Sequence, residues 1–451
     1  MKKLHSEVPI IEPPWYLLLP KLWLCGRASA VYRTPTVSWL RGAALLKRIT
    51  IFLPIPYRGG SLRVTKTIAQ MIMRGSSDAG QVCAVRIAVL AEKYNTGVDF
   101  ADVLAAGIEV REFRWRRANV AEVEMANRNQ GRTCDLPFRE YFMPDDGIDN
   151  CMDSDLWLVV SDRLDKPLAP VRPYAVFATD YIQRYVPSIF PDHLKDVDLP
   201  FLQAVRQADA VIVTTPQTGK DAVSYAGVPA RKVHLAPMDF DPTAFLRTPS
   251  IDAENRYIFW PTNPTQHKNH IRALEALQRY YENDGRLKVK VVGTNSSWLT
   301  PSTKLPKHVD EIPHLLQVRK LIASSDILRE NLEFCGEVTD AEYARLLSQA
   351  SFLWHPVLYD NGTFAVAEAA WLGCPSLSSG YPQMRYIGDR FSIPMEYFNA
   401  SSVDDMSKAL KQMEENAAVI RKALPSHSDL EKHSWQNYAG EYWGMLQRIA
   451  A

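Results

Sequence analysis

Short apolar runs alternate with helix-like segments along most of this chain, and the alternation restricts the folds that it can adopt. The runs are too short for buried helices, and each is separated from the next by enough residues for a crossover helix. Apolar strands joined in this way form parallel sheets covered on both faces. The sequence therefore predicts an α/β protein with two sheets, built from strands 49–53, 82–90, 156–160, 174–178, 210–214 and 233–236, and from strands 257–260, 288–292, 332–334, 352–354 and 376–377.

The length of 451 residues predicts two domains, because it exceeds what one ordinary core holds. The proline-containing segment 237–242 is the predicted linker. We expect helices at 62–73, 268–283, 312–327, 340–349, 363–372 and 402–422, and a loop-rich, unassigned insertion at 118–153. The predicted division is an N-terminal extension 1–47, a first Rossmann-like domain 48–240, a second one 241–432 and a C-terminal helix 433–451 that crosses back to the first domain.

Composition indicates a soluble globular protein, since 46% of residues are hydrophobic and 23% are charged. The cysteines contain no Cys-x-x-Cys pair and no histidine pair nearby at metal-ligand spacing. A disulfide framework and a structural zinc site are therefore not expected, and reduced thiols in a cytosolic protein are the simplest account.

The N-terminal region is strongly basic, although the net charge of the whole chain is only +1. No acidic residue occurs between Glu12 and Asp78, whereas lysines and arginines occur throughout that stretch. The apolar, aromatic segment 15–24 lies in the same region and is too short to span a membrane. One interpretation is a patch that binds an anionic membrane surface; the other is an arm that packs on the first domain.

A single carboxylate, Glu368, stands in an otherwise apolar predicted helix, and a buried carboxylate needs a partner. The preceding residues Asp360, Asn361, Gly362 and Thr363 resemble an N-cap turn, whose free N–H groups could hold a phosphate. Glu368 would then accept hydrogen bonds from hydroxyls of the same ligand, which fits a sugar nucleotide. The alternative is that Glu368 pairs with a hidden arginine or lysine.

Lys268 is predicted at the start of a helix, where its charge opposes the helix dipole unless an anion lies nearby. Ligands of open α/β sheets bind outside the carboxyl ends of the strands. Several loops follow predicted strands and would converge there, namely 261–269, Gly293, 336–338 and 359–363, with Gly59 and Gly60 at the corresponding edge of the first sheet. A cleft between the domains is the expected site.

Separate motifs of the C-terminal half resemble the family 4 glycosyltransferases, which are retaining enzymes of the GT-B fold. The resemblance covers about residues 200–451 and rests on segments 261–269 (PTNPTQHKN), 334–338 (FCGEV), 360–375 (DNGTFAVAEAAWLGCP), 378–385 (SSGYPQMR) and 395–398 (MEYF). It implies two Rossmann-like domains facing across a cleft.

The resemblance also implies roles for individual residues. Lys268, Asp360, Glu368 and Asp180 are the expected catalytic residues. The expected donor-binding residues are Gly59, Gly60, Arg58, Thr262, Asn263, Gly293, Glu337, Val338, Asn361, Gly362, Thr363 and Phe364.

Three positions depart from the family pattern. Asp360 replaces the usual first glutamate, Thr262 stands where many relatives have an arginine, and Thr179 rather than histidine precedes Asp180. Because of the second departure, Lys268 would carry more of the diphosphate charge.

The expected activity is transfer of a hexose, with mannose from GDP-mannose as the best guess, to a lipid-linked oligosaccharide or polysaccharide such as lipopolysaccharide. The donor is a GDP- or UDP-linked sugar, and no metal, cofactor or nucleic acid is expected. The expected location is the cytoplasmic face of the plasma membrane. Alternatives are a GT-B sugar-nucleotide epimerase and a non-catalytic partner in glycan assembly.

Deleting residues 1–47 is expected to weaken binding to anionic vesicles more than binding of nucleotides. Each basic residue near an anionic surface contributes about 1 kcal/mol, and this contribution is screened within roughly 8 Å at physiological salt. Vesicle co-sedimentation at low and high salt measures it. Full-length protein that ignores anionic vesicles even at low salt would support the packed arm.

Overall fold

The computed structural model describes residues 45–56, 59–161, 163–164, 166–189, 198–236, 240–242, 256–307, 309–361 and 364–451. These residues fall in a single compact unit. Most of the predicted N-terminal extension, together with Arg58, Gly362 and Thr363 of the predicted site, lies outside the described residues. No helix within the described ranges is long and apolar enough to cross a membrane.

The first sheet has the order β4-β3-β2-β1-β5-β6-β7-β8. All neighbouring strands are parallel except β3 and β4, which form an antiparallel edge. Its strands are β1 (Arg48–Leu53), β2 (Ala84–Leu90), β3 (Glu109–Asn119), β4 (Glu140–Asp145), β5 (Leu156–Val160), β6 (Tyr174–Phe177), β7 (Ala210–Val213) and β8 (Val233–Leu235).

The second sheet has the order β11-β10-β9-β12-β13-β14 and is parallel throughout. Its strands are β9 (Tyr257–Pro261), β10 (Lys288–Val292), β11 (Leu332–Gly336), β12 (Phe352–His355), β13 (Ser376–Ser379) and β14 (Met395–Phe398). The predicted α/β class with two parallel sheets is therefore confirmed, and β14 is an additional strand.

Helices connect the strands of both sheets. In the first half they are α1 (Gly60–Asp78), α2 (Thr96–Asp99), α3 (Ala101–Ala105), α4 (Val120–Asn129), α5 (Ile182–Tyr185), α6 (Leu199–Gln207) and α7 (Pro216–Ser224). In the second half they are α8 (His270–Glu282), α9 (Pro313–Ser324), α10 (Asp326–Asn331), α11 (Asp340–Gln349), α12 (Ala365–Trp371), α13 (Pro382–Arg390), α14 (Val403–Lys422), α15 (His427–Glu431) and α16 (Trp435–Ala450).

Successive side chains of a strand point to opposite faces, so each sheet supports two cores. In β1, Ile49 and Ile51 belong to the core that includes α1, whereas Phe52 belongs to the core on the other face. In β9, Trp260 packs in one core and Phe259 in the opposite one. This burial on both faces explains why these strands are almost continuously apolar.

The prediction of a loop-rich insertion at 118–153 was wrong. The segment contains the end of β3, the helix α4 and the edge strand β4. Asn119 caps α4 by accepting a hydrogen bond from the backbone of Glu122, and the Glu122 side chain accepts one from the Asn119 backbone. This capping box fixes the start of α4 directly after the strand.

The last helix, α16, packs against α1. Its residues Tyr442, Trp443 and Leu446 belong to the core of the first sheet. The two helices approach closely at Gly75, where an added Cβ atom would lie 2.2 Å from the carbonyl oxygen of Ala439. A side chain at position 75 is therefore incompatible with the observed helix separation.

We expect Gly75→Ala to destabilise the protein by about 1–3 kcal/mol, the usual cost of overpacking, although alanine normally favours a helix. The matched control is Gly440→Ala in α16, where an added Cβ would meet no atom within 4 Å. Urea denaturation of both variants measures the difference. Equal stabilities for the two variants would contradict the close packing of α1 and α16.

Candidate active site

The loops that follow β9, β10 and β11 are tied together at the carboxyl edge of the second sheet. The backbone N–H of Thr262 donates to the carbonyl oxygen of Val292 at 2.8 Å, and that of Gly293 donates to the carbonyl oxygen of Gly336 at 2.8 Å. A Cβ atom on Gly293 would lie 2.2 Å from the Thr262 oxygen, so only glycine fits there. The close contact of these backbones builds one continuous edge.

Lys268 and Asp360 meet at this edge, where the Lys268 ammonium lies 2.6 Å from the Asp360 carboxylate. Both side chains are largely buried, with 15% and 17% of their surface exposed. The other Asp360 oxygen, Oδ1, accepts a hydrogen bond from the backbone N–H of Asn361. Lys268, predicted at the start of a helix, ends a short 3-10 turn, and α8 begins two residues later at His270.

Charge around Asp360 keeps it ionised. Burial raises the pKa of Asp360, but the Lys268 charge and hydrogen bond, together with the neighbouring His267 and His355, lower it to about 2. Burial also lowers the pKa values of His267 and His355 to about 3, so both imidazoles are neutral at physiological pH. Lys268 is thus the cation of this pair, and the two histidines add no charge.

Glu368 is buried in the first turn of α12. Its Oε1 atom accepts a hydrogen bond from Arg63 Nη1 at 2.6 Å, and Arg63 belongs to α1 of the first half. Burial raises the pKa of Glu368, and the charge of Arg63 and a hydrogen bond with Tyr343 oppose that rise. The alternative prediction, that Glu368 pairs with an arginine or lysine, is therefore confirmed.

The loop containing Gly59 and Gly60 lies at the start of α1, one turn from Arg63. Gly59 is the N-cap residue with a φ of 75°, a value that favours glycine. The N–H of Arg63 donates to the Gly59 carbonyl oxygen at 3.0 Å. Because Arg63 contacts Glu368, this loop lies opposite the start of α12.

The remaining predicted residues lie around this edge in less direct positions. Thr262 Oγ1 is 2.9 Å from His270 Nε2, and Glu337 accepts a bond of 3.3 Å from Thr294. The Asn263 side chain accepts from the Thr265 N–H. Val338 and Phe364 pack against the core that contains α12.

Asp180 contacts its own loop, where it accepts a hydrogen bond of 3.0 Å from the Ile182 N–H. Its charge contributes, after burial and Asp360, to raising the pKa of Tyr381 in the second half. Asp180 is buried, and the structure assigns it a turn-forming contact.

Sequence reasoning missed two contacts between the halves. Arg63 was one of many cations in the basic N-terminal region, and only its position opposite α12 distinguishes it. The rings of Tyr185 and Tyr359 stack with centroids 3.8 Å apart. The Tyr185 hydroxyl also donates to Asp221 at 2.7 Å, which holds the stack to α7.

The sequence matches no protein-family model and no curated protein. Solved structures are similar in fold. A glycosyltransferase from Rickettsia africae superposes with a TM-score of 0.59 at 11% identity, covering 90% of this chain and 98% of that one. Anabaena HepE in complex with UDP and glucose superposes with a TM-score of 0.58 at 13% identity, covering 89% of this chain and 100% of that one.

The lipopolysaccharide outer core galactosyltransferase WaaB gives a TM-score of 0.53 at 10% identity, covering 87% of this chain and 99% of that one. The chain has the GT-B fold. At these identities the likeness establishes the architecture alone.

We expect Lys268→Met to lower the free energy of unfolding by about 1.5–3 kcal/mol at pH 6, the range for a charged hydrogen bond. The loss should shrink as pH falls from about 4 to about 2. The folded-state pKa of Asp360 is depressed from 3.8 to about 2, so its contribution is present above the ordinary pKa and disappears as Asp360 is protonated.

Lys66→Met is the control, because Lys66 forms an ion pair of 2.8 Å with Asp102, which is 54% exposed. An exposed pair contributes at most about 1 kcal/mol. Chemical denaturation between pH 6 and about pH 2 measures both variants. A loss for Lys268→Met that stays constant with pH would contradict the assigned coupling to Asp360.

Proposed function

We propose that this protein is a retaining glycosyltransferase that transfers a hexose from a nucleotide diphosphate sugar to a lipid-linked or polysaccharide acceptor. The observation that carries the proposal is the position of Lys268, Asp360 and Glu368. Two of them meet beside the loops that end the strands of the second sheet, and the third lies in the first turn of α12, opposite the first half. Open α/β sheets bind ligands at this edge.

The site has the charges that such a transfer requires. Departure of the sugar leaves negative charge on the diphosphate, and preorganised cations and N–H groups stabilise that charge. Lys268 supplies the cation, and the start of α12 supplies N–H groups and the positive end of a helix dipole. Glu368 would bind the ribose hydroxyls, and Asp360 would face the transferred sugar and position Lys268.

Retention of configuration at the anomeric carbon can be achieved without a nucleophile supplied by the protein, and no side chain is assigned that role here. In the front-face mechanism that the family resemblance implies, the acceptor hydroxyl attacks from the side on which the diphosphate departs. The diphosphate oxygen can then take the proton of that hydroxyl. The protein's tasks are to orient both substrates and to stabilise the departing charge.

The proposal also specifies the base and the sugar of the donor. GDP-mannose is the donor that the sequence resemblance favours. The complexes of Anabaena HepE with UDP and with UDP-glucose make UDP-linked hexoses an equal candidate for a protein of this fold. A glycolipid acceptor and attachment at an anionic membrane surface agree with the basic N-terminal region.

Two alternatives use the same fold. An epimerase would convert its nucleotide sugar without an acceptor, and a non-catalytic partner would bind the nucleotide without turnover. The ion pairs of Asp360 and Glu368 leave the non-catalytic alternative open, because both carboxylates already have structural partners. Products distinguish the three functions.

The test is incubation with UDP- and GDP-linked hexoses, with and without bacterial lipid extract, followed by measurement of released nucleotide and of the sugar. Release that depends on lipid and continues in EDTA supports the transferase. Glu368→Gln preserves side-chain volume and is expected to reduce release at least about 10-fold, because a charged hydrogen bond to the ribose is lost.

Glu342→Gln is the matched control, since Glu342 lies on the surface of neighbouring α11 and pairs with Arg345. It should retain wild-type release. Conversion of the sugar without nucleotide release would favour the epimerase, and binding without any product would favour the non-catalytic partner. Wild-type activity in Glu368→Gln would remove Glu368 from the site.

A further inference from the structure

The contact between Arg63 and Glu368 presents a conflict for the proposed donor site. Glu368 is the carboxylate proposed to accept the ribose hydroxyls, yet Arg63 Nη1 already donates to it at 2.6 Å. Tyr343 also forms a hydrogen bond with Glu368. A nucleotide that uses Glu368 must therefore displace Arg63 or share the carboxylate with it.

Arg63 is suited to move, because 47% of its side chain is exposed whereas the Glu368 side chain is only 4% exposed. Among the described residues, the other carboxylate within ion-pair distance of Arg63 is Asp340, at 3.8 Å and 77% exposed. A guanidinium released from Glu368 would have one weak, solvated partner. An anionic ligand in the cleft would be a better one.

The expected diphosphate position lies close to Arg63. Glu368 is in the first turn of α12, and side chains of a helix lean towards its N-terminus. The guanidinium that contacts Glu368 therefore lies towards the N-terminal end of α12. Arg63 is itself in the first turn of α1, which has no acidic residue, so its charge and the α1 dipole attract an anion at the same place.

Position 262 of the second half brings no cation to a diphosphate. Thr262 stands where many members of the family that the sequence resembles have an arginine, and its hydroxyl lies 2.9 Å from His270. Burial lowers the pKa of His270 to about 3, so this position contributes no charge. Lys268 remains, and its ammonium is paired with Asp360.

We propose that Arg63 exchanges partners when the donor binds. The ribose hydroxyls replace it on Glu368, and its guanidinium binds the diphosphate, so the first half supplies the second cation of the donor site. The inference rests on the proposed function and adds a donor-binding residue from the opposite half. It also makes nucleotide binding dependent on the approach of the two halves.

The two steps of the exchange predict opposite effects on two ligands. A nucleoside needs Glu368 alone, so Arg63→Ala should tighten its binding several-fold by removing the competitor. A nucleoside diphosphate also loses a charged hydrogen bond, so the ratio of the nucleoside Kd to the diphosphate Kd should fall about 10- to 100-fold. Arg63→Lys keeps the charge but lacks the planar guanidinium. Its ratio of nucleoside Kd to diphosphate Kd should lie between those of wild type and Arg63→Ala.

The experiment is calorimetric titration of uridine, UDP, guanosine and GDP into wild type, Arg63→Ala, Arg63→Lys and Arg74→Ala. Arg74 lies on the same helix in an ion pair of 2.8 Å with Asp78, and its loss should change neither ligand. Titrations at pH 6 and pH 8 are needed, because Arg63→Ala removes the cation that opposes the raised pKa of Glu368. Thermal unfolding verifies that each variant folds, and Arg63→Lys provides the test if Arg63→Ala does not.

Each of the other possible results contradicts one part of the proposal. If Arg63→Ala tightens nucleoside and diphosphate equally, Arg63 only blocks Glu368, and the diphosphate contact is wrong. If neither affinity changes while wild type binds UDP or GDP, the exchange is wrong and the proposed donor site stands. If wild type binds none of the four ligands, the donor site is wrong and the exchange fails with it.

Discussion

A carboxylate removed from water requires a compensating charge, and in this protein that requirement connects the two halves. Glu368 is buried at the start of a helix in the second half, and its positive partner, Arg63, comes from the first helix of the other half. Asp360 meets the same requirement within its own half through Lys268. One acidic segment is thereby held both to the edge of its own sheet and to the opposite half.

Two contacts between the halves are chemically distinct. The Arg63 pair is ionic and partly solvated, whereas the stack of Tyr185 on Tyr359 is apolar and is held by hydrogen bonds at both hydroxyls. Ionic contacts weaken with salt, and stacked rings do not. The two contacts therefore respond differently to conditions and to charged ligands.

Much of the fold could be predicted from the sequence because strands buried on both faces are apolar without interruption. β5 and β7 are of this kind. β3 was missed because it contains four arginines and buries only Phe113 and Ala118, which leaves neither an apolar run nor a regular alternation. The capping-box residues Asn119 and Glu122 could have predicted the helix that follows.

The candidate site was less accessible to sequence reasoning. The apolar run around it identified Glu368, and the cap-like turn and the family resemblance identified Asp360. A partner of Glu368 305 residues away depends on how two sheets face each other, which no local pattern encodes. The helix predicted at 268–283 is present, but it begins two residues later for a local reason. Asn269 adopts a left-handed conformation with φ of 64°, which separates Lys268 from α8. The predicted domain limits remain predictions.

The packing of α16 in the core of the first sheet has a consequence for biosynthesis. The ribosome completes the last strand of that sheet, β8, roughly 200 residues before it begins α16. At about 5–20 residues per second, the surface awaiting Tyr442, Trp443 and Leu446 stays uncovered for roughly 10–40 s. The first half cannot finish folding on emergence, and nascent chains of this protein are natural clients for chaperones that shield apolar surface.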